Sequence, residues 1–443
     1  MTDTQTFDVT QHGATGTADD APGIAAAFKA ACAASANGAP STVLLPPGKT
    51  FNVASSVMMD AFRSNDRWDL GHNGPSTAAT VHRKGVVTFQ GTGATIKYVD
   101  LHKRFCWLQA PMVDGQTFGL INILGLTVDD NRRVPAGDCG GLIFGWDKGN
   151  WANIGISGCA EYGIPPNPNA GQKGYRGCNP VSPVLFYGSG EAPGAYTQDI
   201  VVSGCTLTAQ GTLTSFYGTY NRVIDSIDQI DCVFDSGNAG ASSSMIGNGA
   251  IIWRCSFENL DCSNSEDDGI EVDAASVVDI RGCDFHAIGE PICLTRVGTV
   301  QSCGHPYLTD TPPQINVQDC TYSGALNVYW ANSGLRQPLM DMHSNLPGHA
   351  YPTPPNWGDV RYSNVHLTWT SKGGLALAPF TLSGPLNSVT IEDCSTQGAK
   401  VVSIHNTAGT IPVTLHQVFA AGVLQTAANH PGVVTSGCKV TYS

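Results

Sequence analysis

One short phrase recurs along this chain and limits what it can fold into. It runs as an apolar or alternating strand, a small or acidic residue, then Cys or an apolar residue, then another short strand. The first instances are Ile123-Leu124-Gly125-Leu126, Ile156-Ser157-Gly158-Cys159, Val202-Ser203-Gly204-Cys205 and Ile230-Asp231-Cys232. Trp253-Arg254-Cys255, Ile280-Arg281-Gly282-Cys283, Val317-Gln318-Asp319-Cys320, Ile391-Glu392-Asp393-Cys394 and Thr435-Ser436-Gly437-Cys438 continue it. From Cys205 to Cys320 the steps are 27, 23, 28 and 37 residues, and the next step of 74 leaves room for a rung near Ser363-Asn364-Val365-His366. A period of roughly 20–40 residues with variable loops marks a solenoid. Each repeat is then one coil, its short strands stacking in parallel on those above and below.

Composition agrees. With 51 Gly and 26 Pro among 443 residues there is little room for long helices, and 42% hydrophobic content suffices for a large core. No apolar stretch approaches the ~18–20 residues of a membrane span. The 36 acidic against 23 basic side chains give a net charge of −13, which argues against nucleic acid and an acidic membrane surface as partners. A local basic groove for a polyanionic substrate stays compatible with that total. The 15 Cys include no C-x-x-C pair, so they read as small hydrophobes stacked at one place in every rung, not as metal or redox centres.

A solenoid leaves an open end to be covered. Residues 19–32 read as a helix, with Asp20 or its neighbour as cap, Pro22 in the first turn and Asn37-Gly38 beyond the Ala-rich run. Its Ile24, Phe28 and Cys32 share a face suited to plugging the first coil. The chain thus divides into a start and cap over 1–55 and one continuous run of rungs with loop insertions over 56–443.

The residues around this helix carry a resemblance. Phe7-Asp8-Val9, His12-Gly13-Ala14-Thr15-Gly16 and Asp19-Asp20 precede it, and Thr42-Val43-Leu44-Leu45-Pro46-Pro47-Gly48-Lys49-Thr50-Phe51 follows. This resembles the opening of pectin-lyase-like proteins, especially plant-type polygalacturonases and phage tailspikes. The resemblance implies an all-β fold, a right-handed single-stranded parallel β-helix with an N-terminal capping helix. It says little about the reaction, since one fold hosts many functions.

The most chemically suggestive stretch is Asn264-Ser265-Glu266-Asp267-Asp268-Gly269-Ile270-Glu271-Val272-Asp273, with five carboxylates in eight positions of a chain only 13% charged. One rung later come Gly289-Glu290-Pro291-Ile292, Arg296 and Gly304-His305-Pro306. Polygalacturonase-type hydrolases carry Asn-Thr-Asp-Gly, then Gly-Asp-Asp, Gly-His-Gly and Arg-Ile-Lys. Asp268-Gly269-Ile270 is similar to the first and Gly289-Glu290 to the second. Gly304-His305 loosely matches the third, and the fourth has no counterpart.

Glycoside hydrolysis needs a protonated carboxyl near the leaving oxygen and a carboxylate that activates water or attacks. Carboxylates on rungs about 4.8 Å apart can meet that need. Asp268 is the candidate acid, Asp267 and Glu290 the candidate bases, with Glu266, Glu271 and His305 in support. Arg296, Trp253 and Asp273 are candidates for substrate binding. The alternatives to a catalytic role for the cluster are a turn, a solvent-facing strand and a structural Ca²⁺ site. Trp146, Trp151, Trp330 and Trp357 serve as sugar platforms or as packing, and Asp129-Asp130-Asn131-Arg132-Arg133 as a groove edge or a turn.

The leading reading is a polysaccharide-degrading hydrolase without a cofactor. A polysaccharide lyase, which would bring in Ca²⁺, and a tailspike-like polysaccharide-binding protein are the alternatives. The expected partner is a polysaccharide or oligosaccharide bound by a monomer or homotrimer, with neither nucleic acid nor membrane. Met1-Thr2-Asp3-Thr4-Gln5 lacks the charged and apolar regions of a signal peptide, and the expected setting is secreted or virion-associated.

Overall fold

The computed structural model describes residues 4–54, 57–58, 84–100, 108–112, 117–132, 139–147, 150–163, 181–187, 196–209, 211–217, 222–239, 242–247, 251–265, 268–273, 275–295, 314–323, 340–343, 358–368, 379–406, 409–430 and 432–443. They belong to two compact units, Met1–Asn167 with Cys178–Phe234, and Pro168–Gly177 with Asp235–Ser443. Each unit is a stack of coils, and each coil gives one strand in turn to a first, a second and a third parallel sheet.

In the first unit the coil that opens at Asn150–Ser157 continues through Ala160–Tyr162 to Val181–Tyr187. Its strands pair in parallel with Thr117–Leu124, Thr127–Asp129 and Cys139–Asp147 of the preceding coil. They pair likewise with Tyr196–Ser203, Thr206–Thr208 and Thr214–Tyr217 of the next. In the second unit the same succession gives Ile251–Glu258, Asp261–Ser265 and Asp268–Asp273, then Ala275–Arg281, Asp284–His286 and Glu290–Thr295. Alternate positions such as Ile154, Ile156, Ile200 and Val202 are fully buried, as strands with one face inward require. The repeat therefore folds as the sequence implies, into a right-handed parallel β-helix.

The recurring phrase is a corner between the first and second strands. Its small or acidic residue turns the chain in the left-handed region: Gly158 (φ 61), Gly204 (φ 59), Asp231 (φ 54), Gly282 (φ 62), Asp319 (φ 54) and Asp393 (φ 53). Gly, Asn and Asp accept this conformation at least cost. The turn does not interrupt the ladder, because Gly158 N–H donates to Ser203 O at 2.8 Å and Thr206 N–H to Cys159 O at 2.9 Å. The next side chain points inward, whether Cys159, Cys205, Cys232, Cys283, Cys320 or Cys394, and each is at most 1% exposed. Asn364 (φ 54) and buried Val365 form the rung that the 74-residue step allows.

Two cysteines depart from the expected column. Cys255 lies inside Ile251–Glu258, and the corner of that coil is Asn259 (φ 52) followed by buried Leu260. Cys438 opens the last strand, Cys438–Tyr442, opposite Ile411, and is half-buried. At both, the residue spacing matched while the strand phase did not.

In the first unit Cys159, Cys205 and Cys232 hydrogen-bond to one another down three coils. The shared S–H···S chain holds the Cys159 thiol below its ordinary value and pushes Cys205 up to about 12. Cys232 is pushed up further by its bond to Cys205 and by burial. Their sulfurs also lean on backbone carbonyls, as Cys205 Sγ does on Ser203 O at 3.4 Å.

The helix Ala21–Ala34 forms with Pro22 in its first turn, and Ile24, Phe28 and Cys32 are buried together. Phe28 stacks on Phe89 of the strand Val87–Gln90 at 5.1 Å, which closes the coil end. Of the two candidate caps, Asp20 makes no side-chain cap bond. Its carboxylate accepts from Thr15, Gly16 and Asn52 N–H at 2.7–3.1 Å and ties the preceding loop to the strand Thr50–Val53. Asp19 Oδ1 receives the helix N–H of Ala21 instead, at 3.2 Å.

Candidate functional site

The acidic stretch begins a third-sheet strand of the second unit. Asp268–Asp273 pairs in parallel with Ser244–Gly247 on one side and Glu290–Thr295 on the other. Ile270 and Val272 lie against Ile292 and Leu294 in register, all at most 1% exposed, and these four anchor the strands in the core. The same register sets Asp268 opposite Glu290 and Glu271 opposite Cys293.

Gly269 makes the approach possible. A Cβ there would stand 2.6 Å from both a Phe285 ring carbon and Pro291 O, so no larger residue fits between the two acids' strands. Pro291 has no N–H to give the ladder. The acids therefore sit at strand starts, where the ladder bonding is locally thin.

Asp268 is 6% exposed, Glu290 1% and Cys293 7%, and one donor atom from each lies within 4.8 Å of the others. Ser242, 2% exposed, brings in a third carboxylate: its Oγ is 3.3 Å from Asp268 Oδ2 and also donates to Glu271 Oε2. The cluster comes from three successive coils, with Ser242 before Asp268 and Glu290 after it. Among the described residues, the two carboxylates and thiol that meet within 4.8 Å are a poor donor set for Ca²⁺, which takes roughly six to eight oxygens.

Of the residues singled out in the sequence, Asp268, Glu271 and Glu290 are thus brought together. Glu266, Asp267, Arg296 and His305 lie outside the described residues, as do Trp330 and Trp357. Trp253 lies in Ile251–Glu258 and Asp273 ends its strand, while the side chains of both fall outside the description. Trp151 is fully buried, with Arg222 stacked over it at 4.3 Å and Phe186 at 5.8 Å, so it packs the core of the first unit and offers no platform to a sugar. Asp130 is likewise buried, in a turn where Asn131 (φ 49) and Arg132 (φ 62) are left-handed and Asp129 Oδ1 accepts from Asn131 N–H at 2.8 Å.

Sequence reading missed Ser242 and the place of Cys293. Ser242 opens a run of three serines and has no motif around it. Only counting the register back from Asp268 by one coil singles it out.

No family model matches the sequence, and no curated protein sequence matches it. Solved structures do. A surface adhesin of Streptococcus pneumoniae, PfbA, superposes with a TM-score of 0.53 at 12% identity, over 99% of this chain and 94% of that one. The A-module of an Azotobacter vinelandii mannuronan C-5 epimerase gives 0.41 at 13% identity, over 97% and 100%. The Dettilon tailspike protein gives 0.45 at 9% identity, over 98% and 68%. At such identities the likeness concerns the fold alone. Coils, corners and cap together make this chain a right-handed parallel β-helix.

Proposed function

We propose that the chain is a polysaccharide hydrolase whose working pair is Asp268 and Glu290. The observation that carries this reading is their register across adjacent coils, with carboxylate oxygens within 4.8 Å in a buried setting. Two carboxyls so close and so dry share a proton more readily than they both ionise. One is then an acid and the other a base, as glycoside cleavage needs.

In this reading Asp268 is the acid for the glycosidic oxygen and Glu290 the carboxylate that attacks the anomeric carbon or activates water, and a sugar reaches them only if the side chains over the strand starts give way, since the two are 6% and 1% exposed. Carboxyl groups ~5–5.5 Å apart belong to retaining hydrolases, whereas inverting ones leave ~6.5–9.5 Å for a water. A lyase would instead draw on a base and a cation beside a uronate, and Arg296, the basic side chain among the substrate-binding candidates, is outside the described part.

The test is a panel of acidic and neutral polysaccharides given to the wild type and to Asp268→Asn. New reducing ends without unsaturated-product absorbance, lost in the variant, support hydrolysis. Unsaturated products would replace it with elimination.

One observation favours a second reading. The superposition on PfbA extends over nearly the whole of both chains, and PfbA is a surface adhesin. Binding to a polysaccharide with no new ends would make this chain a recognition protein of a cell surface or virion. A stable trimer by mass would strengthen that reading, and a monomer the hydrolase.

A further inference from the structure

The contacts around Ser242 contain a proton count. A serine hydroxyl carries one hydrogen and two acceptor lone pairs, and an ionised carboxylate only accepts. Ser242 Oγ meets two carboxylates, Glu271 Oε2 at close range and Asp268 Oδ2 at 3.3 Å. Burial favours the neutral form at Asp268, 6% exposed, over half-exposed Glu271, so the one hydroxyl hydrogen goes to Glu271 as the ionised acceptor. The Asp268 contact is then a hydrogen bond only if Asp268 brings the proton and Ser242 Oγ accepts it.

The backbone fixes this arrangement. Ser243 N–H donates to Asp268 O at 2.8 Å, and the register Ser244 to Ile270 sets Ser242 one coil before Asp268. Ser243 is held in turn by a 2.8 Å contact between its Oγ and that of Ser236. Among the described residues, Asp268 faces Ser242 from the preceding coil, Glu271 on its own strand through that serine, and Glu290 and Cys293 from the following coil. Two more carboxylates close by favour the neutral form of Asp268, and a hydroxyl that accepts from that form favours it again.

We infer that Ser242 is the positioning residue that keeps the proton on Asp268 and passes in its replacement from Glu271. Its catalytic use rests on the hydrolase reading. When Asp268 gives its proton to a leaving oxygen, the Ser242 hydroxyl turns its hydrogen toward the new carboxylate. Glu271, half-exposed, takes a proton from water. That proton then moves to Ser242 Oγ as the hydroxyl hydrogen moves to Asp268 Oδ2. Two O–H bonds break and two form, with one proton transferred from Glu271 to Asp268.

The experiment reads protonated carboxyl directly, by infrared spectroscopy of protein labelled with ¹³C-carboxyl aspartate. Wild type is compared with Asp268→Asn, Ser242→Ala and Ser242→Thr. A protonated-aspartate band near pH 7 that Asp268→Asn removes is the expected result. In Ser242→Ala the band should vanish at a pH lower by about one unit, the weight of one hydrogen bond, while Ser242→Thr keeps the wild-type profile. Turnover of Ser242→Ala should fall about tenfold with KM nearly unchanged. A wild-type protein without the band near neutrality, or a band that Ser242→Ala leaves in place, overturns the inference. If the band behaves as expected and no polysaccharide is cleaved, the proton placement holds and the hydrolase reading falls.

Discussion

Both units bury charge, and they do it differently. Among the described residues of the first unit, buried charged side chains sit among packing contacts. Arg222 lies over Trp151 and donates through Nη1 to Tyr196 O and Thr197 Oγ1, both at 2.9 Å. Glu161 takes an inward position between Val128 and Leu207 of the neighbouring coils. The third-sheet rings Phe186 and Phe216 stack at 5.7 Å, as a core should. In the second unit the same sheet keeps its apolar layer in Ile270, Ile292, Val272 and Leu294, yet brings Asp268, Glu271 and Glu290 to one place. A buried carboxylate set between apolar side chains of the neighbouring coils is a matter of packing. Carboxylates that converge across coils need a shared proton, and that is where proton chemistry becomes available.

The sharpest way to break this contrast is to neutralise one buried acid in each unit. Glu290→Gln removes half of the proposed pair, and a lost acid or base costs about 10²–10⁴ in rate. Glu161→Gln, in the other unit, should leave turnover within about twofold once folded protein is compared at equal concentration, as expected of a residue outside the reacting groups. Reducing-end release per folded molecule is the measurement. Equal losses in both variants would mean that stability, not chemistry, connects these residues to activity.

A smaller effect probes how each unit makes room for its acid. In the first unit Gly141 gives Glu161 its space, since a Cβ at Gly141 would stand 1.8 Å from Glu161 Oε1. At Gly269 the obstruction is backbone and ring, with Pro291 O and a Phe285 carbon both at 2.6 Å. Overpacking of this kind costs about 1–3 kcal/mol. Gly141→Ala should lower the thermal midpoint, and Glu161→Gln should not restore it, because the amide occupies the same volume. Glu161→Ala should restore part of it. Gly269→Ala should lower both the midpoint and turnover, since yielding there moves Asp268 off Glu290. A Gly269→Ala protein with full turnover would show that the close register is not what the chemistry uses.

Much of this was legible before any coordinates. The corner phrase needs only a residue tolerant of positive φ followed by one that fits inside, and Gly158-Cys159 or Asp319-Cys320 announces both. Cys255 misled because a cysteine suits any inward strand position, not only the corner. Asp19 and Asp20 could not be told apart as caps because an acidic residue before a helix can serve the loop as readily as the helix, and four N–H contacts from Thr15, Gly16 and Asn52 hold Asp20 to the loop while Asp19 takes the helix N–H. At the site, the run 266–273 pointed to Asp268, and a one-coil step reached Glu290. Ser242 stayed hidden because its importance lies in register alone, and coil lengths set by variable loops do not fix register in the sequence.

The smallest effect concerns the outer faces. In the second unit Glu392 accepts from Arg361, whose guanidinium holds its carboxyl below the ordinary value, and from Ser363 Oγ at 3.0 Å. The matching pair in the first unit, Lys97 and Asp129, meets only at 4.0 Å. A carboxyl with a depressed folded value stabilises the fold above its unfolded value, about 4.3 for Glu, and that gain disappears as pH falls through the folded value. Both pairs are exposed and screened, so the effect is small and salt-dependent. Arg361→Met should therefore lower the thermal midpoint slightly at neutral pH in low salt, and by less as pH is taken below the Glu392 value or salt is raised. Lys97→Met should change it less still. A deficit in Arg361→Met that grows on acidification would mean that the guanidinium works through packing on the sheet and not through the charge of Glu392.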